Sequence, residues 1–449
     1  MQKRWIILFV ALLSISFLGL FYSGHEGVFT DIDSNLNFAD IAWMITATIF
    51  VLMMTPGLSF FYGGMVRSKN VISTMLQSFI AMGVISVIWV VVGFSLAFGE
   101  DVGHFIGNPG TFFMFVNVGG ATDKLLAPTI PLALYALFQM KFAIITPSLI
   151  TGSFAERVRF SGYLVFMILF CIFVYCPLAH WTWHPDGFLR QMGVLDFAGG
   201  IVVHASSGVA ALAGAIFLGR RKESGQPANI PFVLLGAAML WLGWFGFNAG
   251  SSLAANSIAV KAFLNTNTAS ATAMMTWVVF DCLRGRKPSA MGAAIGAVVG
   301  LVAITPSAGY VTVGESIFIV LVVTVICNMA VSWKNKKNSF DDALDVFPTH
   351  GVGGIVGTIM TGIFVYNATE NITYWQNLLN HIIAVVIVCG YTFIVTYALY
   401  WITDKMIPMR VSEKSEKIGL DMSQHDERYG IETNRELAEY FDHGVDTKS

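Results

Sequence analysis

Long apolar runs, broken by short polar clusters, set the plan of this chain. Each is long enough to form the ~20-residue helix that crosses a bilayer. They fall near 40–63, 71–99, 129–152, 160–180, 197–218, 230–250, 255–281, 289–306, 311–332, 350–366 and 378–402. Read as helices, they give an all-α membrane protein with eleven transmembrane helices. The run at 350–366 is short and glycine-rich, so its limits are the least sharply marked. Ahead of them, Lys3 and Arg4 precede an apolar stretch from Trp5 to Tyr22. A signal peptide and an additional helix both fit that pattern. The stretch is somewhat long for a signal, but Ser23-Gly24 supplies small residues near its end, and cleavage is the favoured reading. The chain then divides into 1–24, a membrane body at 25–403 and a tail at 404–449.

Basic residues orient the runs, because Lys and Arg gather in cytoplasmic loops. With the first run entering from outside, the inner loops carry Arg67, Lys69, Arg157, Arg159, Arg220, Arg221, Lys222, Arg284, Arg286, Lys287, Lys334, Lys336 and Lys337. The outer loops carry only Lys124 and Arg190. That asymmetry predicts an outside N-terminus, a cytoplasmic tail from about Asp404, and a cell (inner or plasma) membrane location. The longest outer loop, 100–128, is placed over an entrance. Runs one to five and six to ten form two blocks of five, and an odd number forces the blocks to be mutually inverted. Transporters of this build place their pathway at the repeat interface. The eleventh run follows the second block.

Composition narrows the class. Only 12% of residues are charged and 55% are hydrophobic, against about 25% charged in soluble domains. The net charge of −2 gives nucleic-acid binding no support. Cys171, Cys176, Cys282, Cys327 and Cys389 all lie in apolar runs without metal-ligand spacing, so they read as small core hydrophobes, with no metal and no cofactor. No HExxH or nucleophile elbow appears, which leaves an enzyme without support.

Ionisable groups at bilayer depth mark function by default. His204 lies ~12 Å along a helix from Asp196, and His350 ~7–8 Å from Asp345. Each stands on the fifth run of its block, and the two runs enter from opposite faces. Inverted symmetry brings the pair together near the midplane. A lone histidine would more often be a satisfied core residue; a symmetric pair reads as a pore site whose protons are shared. Asp196 reads first as a helix cap, with cation attraction as the alternative. His104, His180, His184 and His381 read as boundary residues, and His25, His425 and His443 as residues outside the membrane. Lys141, inside the third run, fits a neutral amine, a paired cation or a snorkelling residue equally well. Phe138, Phe142, Trp183 and Trp244-Phe-Gly-Phe247-Asn-Ala-Gly-Ser251 collect near outer ends of runs. An interfacial aromatic belt accounts for such rings by spacing alone. Above a histidine pair they also suit a small cation shedding water.

Longer motifs make the pattern specific. Thr55-Pro-Gly-Leu-Ser-Phe-Phe-Tyr-Gly-Gly-Met-Val-Arg67, Phe154-Ala-Glu-Arg157, Asp196-Phe-Ala-Gly-Gly, Trp244-Phe-Gly-Phe-Asn-Ala-Gly-Ser251 and His350-Gly-Val-Gly-Gly-Ile-Val-Gly stand in order along residues 40–430. Together they resemble the ammonium transporter (Amt/MEP) family, on its Amt rather than its Rhesus branch. The resemblance implies a homotrimer with one pore per protomer, taking ammonium, ammonia and methylammonium. It implies that Trp183, Phe142 and Ser251 form an outer recruitment site supported by Asp196. It implies a phenyl gate of Phe142 and Phe247 with Phe138 beside the mouth, and His204 and His350 as twin pore histidines. Ile418-Gly-Leu-Asp421-Met-Ser-Gln-His425 resembles the family's tail motif, which implies a PII-type signalling protein as a partner at the cytoplasmic face. Net, electrogenic ammonium movement is expected on the same ground. Lys141 beside Phe142 and the mixed-charge stretch after residue 430 depart from the family pattern.

Overall fold

The computed structural model describes residues 2–21, 34–337, 339–365 and 372–430. The Ser23-Gly24 junction, His25, His443 and the tail beyond 430 lie outside the described residues. The described chain is mostly helical. The helices are α1 (Gln2–Gly19), α2 (Phe38–Met65), α3 (Ser68–Phe98), α4 (Leu132–Ser153), α5 (Phe160–Gln191), α6 (Gly200–Leu218) and α7 (Ile230–Ser252). There follow α8 (Ser257–Leu283), α9 (Ala290–Ile304), α10 (Val313–Lys337), α11 (Val352–Phe364, started by the π-type turn Phe347–Gly351), α12 (Tyr374–Met406) and a short tail helix, α13 (Glu413–Ile418).

Eight of these, α2 to α7, α10 and α12, are long and apolar enough to cross a bilayer alone. At three other expected positions the helix falls short. α8 is long but rich in Asn, Thr and Ser, whereas α9 and α11 are short. All three depend on neighbours. Asn265 of α8 donates to the Ala308 and Val311 carbonyls, and Ser270 to the Ala297 carbonyl.

Small residues bring helices of the two blocks together. Gly57 on α2 lies so close to α7 that a Cβ would sit 2.9 Å from Met239 Cβ. Gly64 meets the α7 start at Asn229 and Val233, and Gly243 meets Phe50 and Met54. The register runs backwards, so α2 and α7 are antiparallel. α6 and α11 repeat the device, with Gly208 against Gly351 and Gly354 against Ala205. Corresponding helices of the two blocks therefore pair in opposite directions. Glycine permits this because backbones in van der Waals contact leave no room for a side chain.

At one end of the bundle, the Phe154–Arg157 motif is a staple. Glu156 is almost fully buried and accepts from Arg67 and Arg221. Arg157 donates to the Ser153 and Asp341 carbonyls. Arg221 also pairs with Asp341, which holds that carboxyl down at about 2 despite burial. The tail packs on this same end. Asp421 accepts the Ile72 and Ser73 amides at the start of α3, while Asn70 accepts the Leu420 amide. Cysteine placement differs in part from expectation. Cys171, Cys176 and Cys327 are buried, but Cys282 is exposed at the end of α8 and Cys389 is half-buried, so those two do not serve as core residues.

Docking of the tail should follow pH. Burial raises the Asp421 carboxyl to about 6, outweighing the opposing pull of the Ser73 and Ile72 amides. A free aspartate titrates near ~3.9. The raised value means docking is strongest below the free value and weakens as pH rises through about 6. His425, held below its usual value by burial, acts in the opposite sense. Hydrogen exchange of residues 413–425, corrected for intrinsic rates, should loosen less between pH 5 and 7 in Asp421→Asn than in the parent. Equal loosening in both would contradict this assignment.

Candidate substrate pathway

The site begins at a helix end. Within α5 the long stretch ends at Trp183, ahead of the separate short turn Phe188–Gln191, and the Trp183 indole N–H donates to the Asp196 carbonyl at 3.0 Å. The Trp183 ring meets Phe142 of α4 edge to face, with centroids 5.9 Å apart. Phe142 lies over Phe247 of α7 at 4.3 Å. Phe247 faces His204 at 5.8 Å, and His204 faces His350 at 5.4 Å. Five rings from α4, α5, α6, α7 and the start of α11 thus make a continuous file.

Local backbone geometry aims three of these rings. His204 lies in a wide π-type turn at Gly200–Ala205, Phe247 in one at Phe245–Ala249, and His350 in one at Phe347–Gly351. Such turns recur at functional sites because they re-aim side chains within a helix. The histidine Nδ1 atoms are 3.4 Å apart. A proton on one of them can therefore be donated to the other. His204 Nε2 is buried with no hydrogen-bond partner among the described residues. Both rings border a cavity whose walls include Leu58, Ile145, Leu240 and Val298. Trp244 stacks on His204 at 5.2 Å and donates its N–H to Thr305 at 2.9 Å.

Asp196 sits with its carboxylate turned away from this file. Its two oxygens accept four amides, from Gly199, Gly200, Ile201 and Val202. It is the cap of α6, and Gly199 at φ +124° makes the turn possible. Only its carbonyl reaches the site, by holding Trp183. Ser251 donates to the Phe247 carbonyl at 2.8 Å, leaving its oxygen lone pairs available. Phe138 is buried edge-on to Phe142, with centroids 4.9 Å apart. Lys141 is buried beside the Met140 sulfur at 3.8 Å, with no carboxylate within ion-pair distance among the described residues. Sequence reasoning missed the cavity walls and Thr305. Apolar residues inside apolar helices carry no local signal.

Residues 42–429 match the Ammonium Transporter Family. The chain belongs to that family. A putative ammonium transporter of Methanothermobacter thermautotrophicus is 45% identical over 402 residues, 87% of this chain and 98% of that protein. The Bacillus subtilis ammonium transporter is 41% identical, covering 88% and 98%. The crystal structure of Candida albicans Mep2 aligns with TM-score 0.81 at 34% identity, over 93% of this chain and 94% of that one. A sensor Amt protein aligns with TM-score 0.80 at 29% identity, over 86% and 98%. The family comprises transporters and not enzymes.

The crossing of α6 and α11 should tolerate no side chain. A Cβ on Gly208 would strike the Gly351 amide and Cα. Backbone cannot retreat as a side chain can, so Gly208→Ala should cost at least the roughly 1–3 kcal/mol of core overpacking. Thermal unfolding in detergent checks this, and an unchanged midpoint would contradict the close crossing.

Proposed function

We propose that this chain recruits ammonium at Trp183, Phe142 and Ser251, deprotonates it, and passes ammonia along the apolar file past His204 and His350. The single observation that carries the reading is the ring file itself, which joins Trp183 to two abutting imidazoles. Its relatives named as ammonium transporters support the substrate. Moving a bare ion into the apolar passage costs tens of kcal/mol in Born terms. Cation–π contacts return only ~1–2 kcal/mol each. Shedding the proton is therefore the cheaper route. Phe142 and Phe247 close the passage to larger solutes, and Trp244 backs His204 from the side. Asp196 acts by capping α6 and holding Trp183. The proton follows along the histidine pair, making transport electrogenic.

The same reading places eleven spans in two inverted five-helix blocks plus one, supported by the antiparallel pairing of α2 with α7 and of α6 with α11. It places the N-terminus outside, the tail in the cytoplasm of a cell membrane, and 1–24 as a signal peptide or an added helix. A homotrimer follows from the family resemblance, as does a PII-type partner at the staple and tail face. Likeness to a sensor Amt protein favours one second reading, in which binding is signalled with little flux.

Solid-supported-membrane currents after an ammonium jump test the relay. Replacing His204 and His350 together by apolar residues should abolish the proton-coupled current. Unchanged current carrying ammonium alone would sink the relay. Absence of both current and methylammonium uptake in the parent protein would move the sensor reading to first place.

A further inference from the structure

The loop between α3 and α4 contains a small antiparallel hairpin, β1 (Asp101–Val102) and β2 (Ile106–Gly107). Besides bonds within its own loop, the hairpin bonds to the end of α5 that carries Trp183. His180 is fully buried there. Its Nε2 lies 2.9 Å from Asp101 Oδ1 and its Nδ1 lies 3.0 Å from the Ala97 carbonyl. Both neighbours are acceptors for a ring N–H. A hydrogen bond accepted by an ionised carboxylate is charge-assisted and correspondingly strong.

The hairpin grips the next residues as well. Trp181 Nε1 donates to the Phe105 carbonyl at 2.7 Å. Beyond Trp183, the Phe188 amide donates to the His104 carbonyl at 3.3 Å, and His104 Nδ1 donates to the Asp186 carbonyl at 2.7 Å. His184 stacks on His180 at 4.4 Å and accepts the Asp186 amide. Gly187 packs against the His180 and Trp181 carbonyls too tightly for a side chain. Trp183 is therefore held from both sides by one hairpin, and among the described residues its only side-chain carboxylate that bonds into α5 is Asp101, which accepts from His180. None of these contacts touches the ring file. They act on where Trp183 stands.

We infer that the Asp101–His180 pair is a positioning element of the outer cation site, fixing the helix end that presents Trp183 and so setting affinity for ammonium rather than the speed of passage. This rests on Trp183 forming part of the recruitment site. Attraction of a cation to a ring face requires the ion to lie within about 6 Å of the ring centroid. A loosened helix end therefore weakens binding first. Passage past Phe142, Phe247 and the histidines depends on α4, α6, α7 and α11, none of which the hairpin grips through Asp101.

The experiment uses the full-length protein in proteoliposomes, with radiolabelled methylammonium as the probe. Asp101→Asn, Trp183→Ala and the double variant are compared for KM and for maximal uptake per folded protein. Asp101→Asn should raise KM by roughly three- to tenfold, the scale of a partly lost cation–π contact. Maximal uptake should hold, and Asp101→Glu should restore part of the affinity. Trp183→Ala should raise KM by itself, and adding Asp101→Asn to it should then change KM by less than about twofold. Unchanged KM in Asp101→Asn, or an effect that persists in full without the indole, would overturn the inference while leaving the recruitment reading intact. Lower maximal uptake at constant KM would reduce the pair to a structural tie. Unchanged KM in Trp183→Ala would overturn the recruitment reading and this inference with it.

Discussion

The backbones of α6 and α11 touch where Gly208 meets Gly351 and where Gly354 meets Ala205, and this contact places the histidine pair. With the helices antiparallel and no side chain between them, the first turns of both arrive side by side. Their π-type turns then point His204 and His350 at each other, Nδ1 to Nδ1 at 3.4 Å. A wider crossing would leave each imidazole to find its own partner. The closeness that glycine allows is thus what makes two buried histidines one chemical unit.

Around that unit the structure removes polar alternatives. Leu58, Ile145, Leu240 and Val298 wall the cavity, and Trp244 covers His204 while its own N–H is satisfied by Thr305. Asp196, ahead of the turn that carries His204, has its two carboxylate oxygens occupied by four backbone amides. A cation entering the file therefore finds ring faces at the mouth and almost nothing to replace water deeper in. Ring faces of Trp183 and Phe142 stand at one end of the file, and the stretch beyond them is apolar, where a bare ion is costly to bury.

How much of this was legible in the sequence varied with the chemistry. His204 and His350 stood out because ionisable groups at depth are rare, and the block arithmetic already paired them. Asp196 read correctly as a cap, since aspartate followed by glycines before an apolar run has that local meaning. The file of Trp183, Phe142 and Phe247 was visible only through family resemblance, because aromatic rings at run ends look like any interfacial belt. Leu58 and Val298 were invisible, being apolar residues among others. Cys282 was misjudged because α8 ends just beyond it, and an end cannot be placed to a residue from hydropathy. The 100–128 loop was placed over an entrance, but its hold on α5 through Asp101, Phe105 and His104 joins residues some 80 positions apart, as the His180–Asp101 bond illustrates. No local pattern encodes such a contact.

The central claim is that ammonium crosses as ammonia with its proton travelling beside it. The most direct measurement is the number of charges moved per methylammonium molecule, from current and radiolabel uptake in the same proteoliposomes. One elementary charge per molecule is the predicted result. Sustained uptake with no net charge would contradict it, since the proton would then be left behind at the outer mouth.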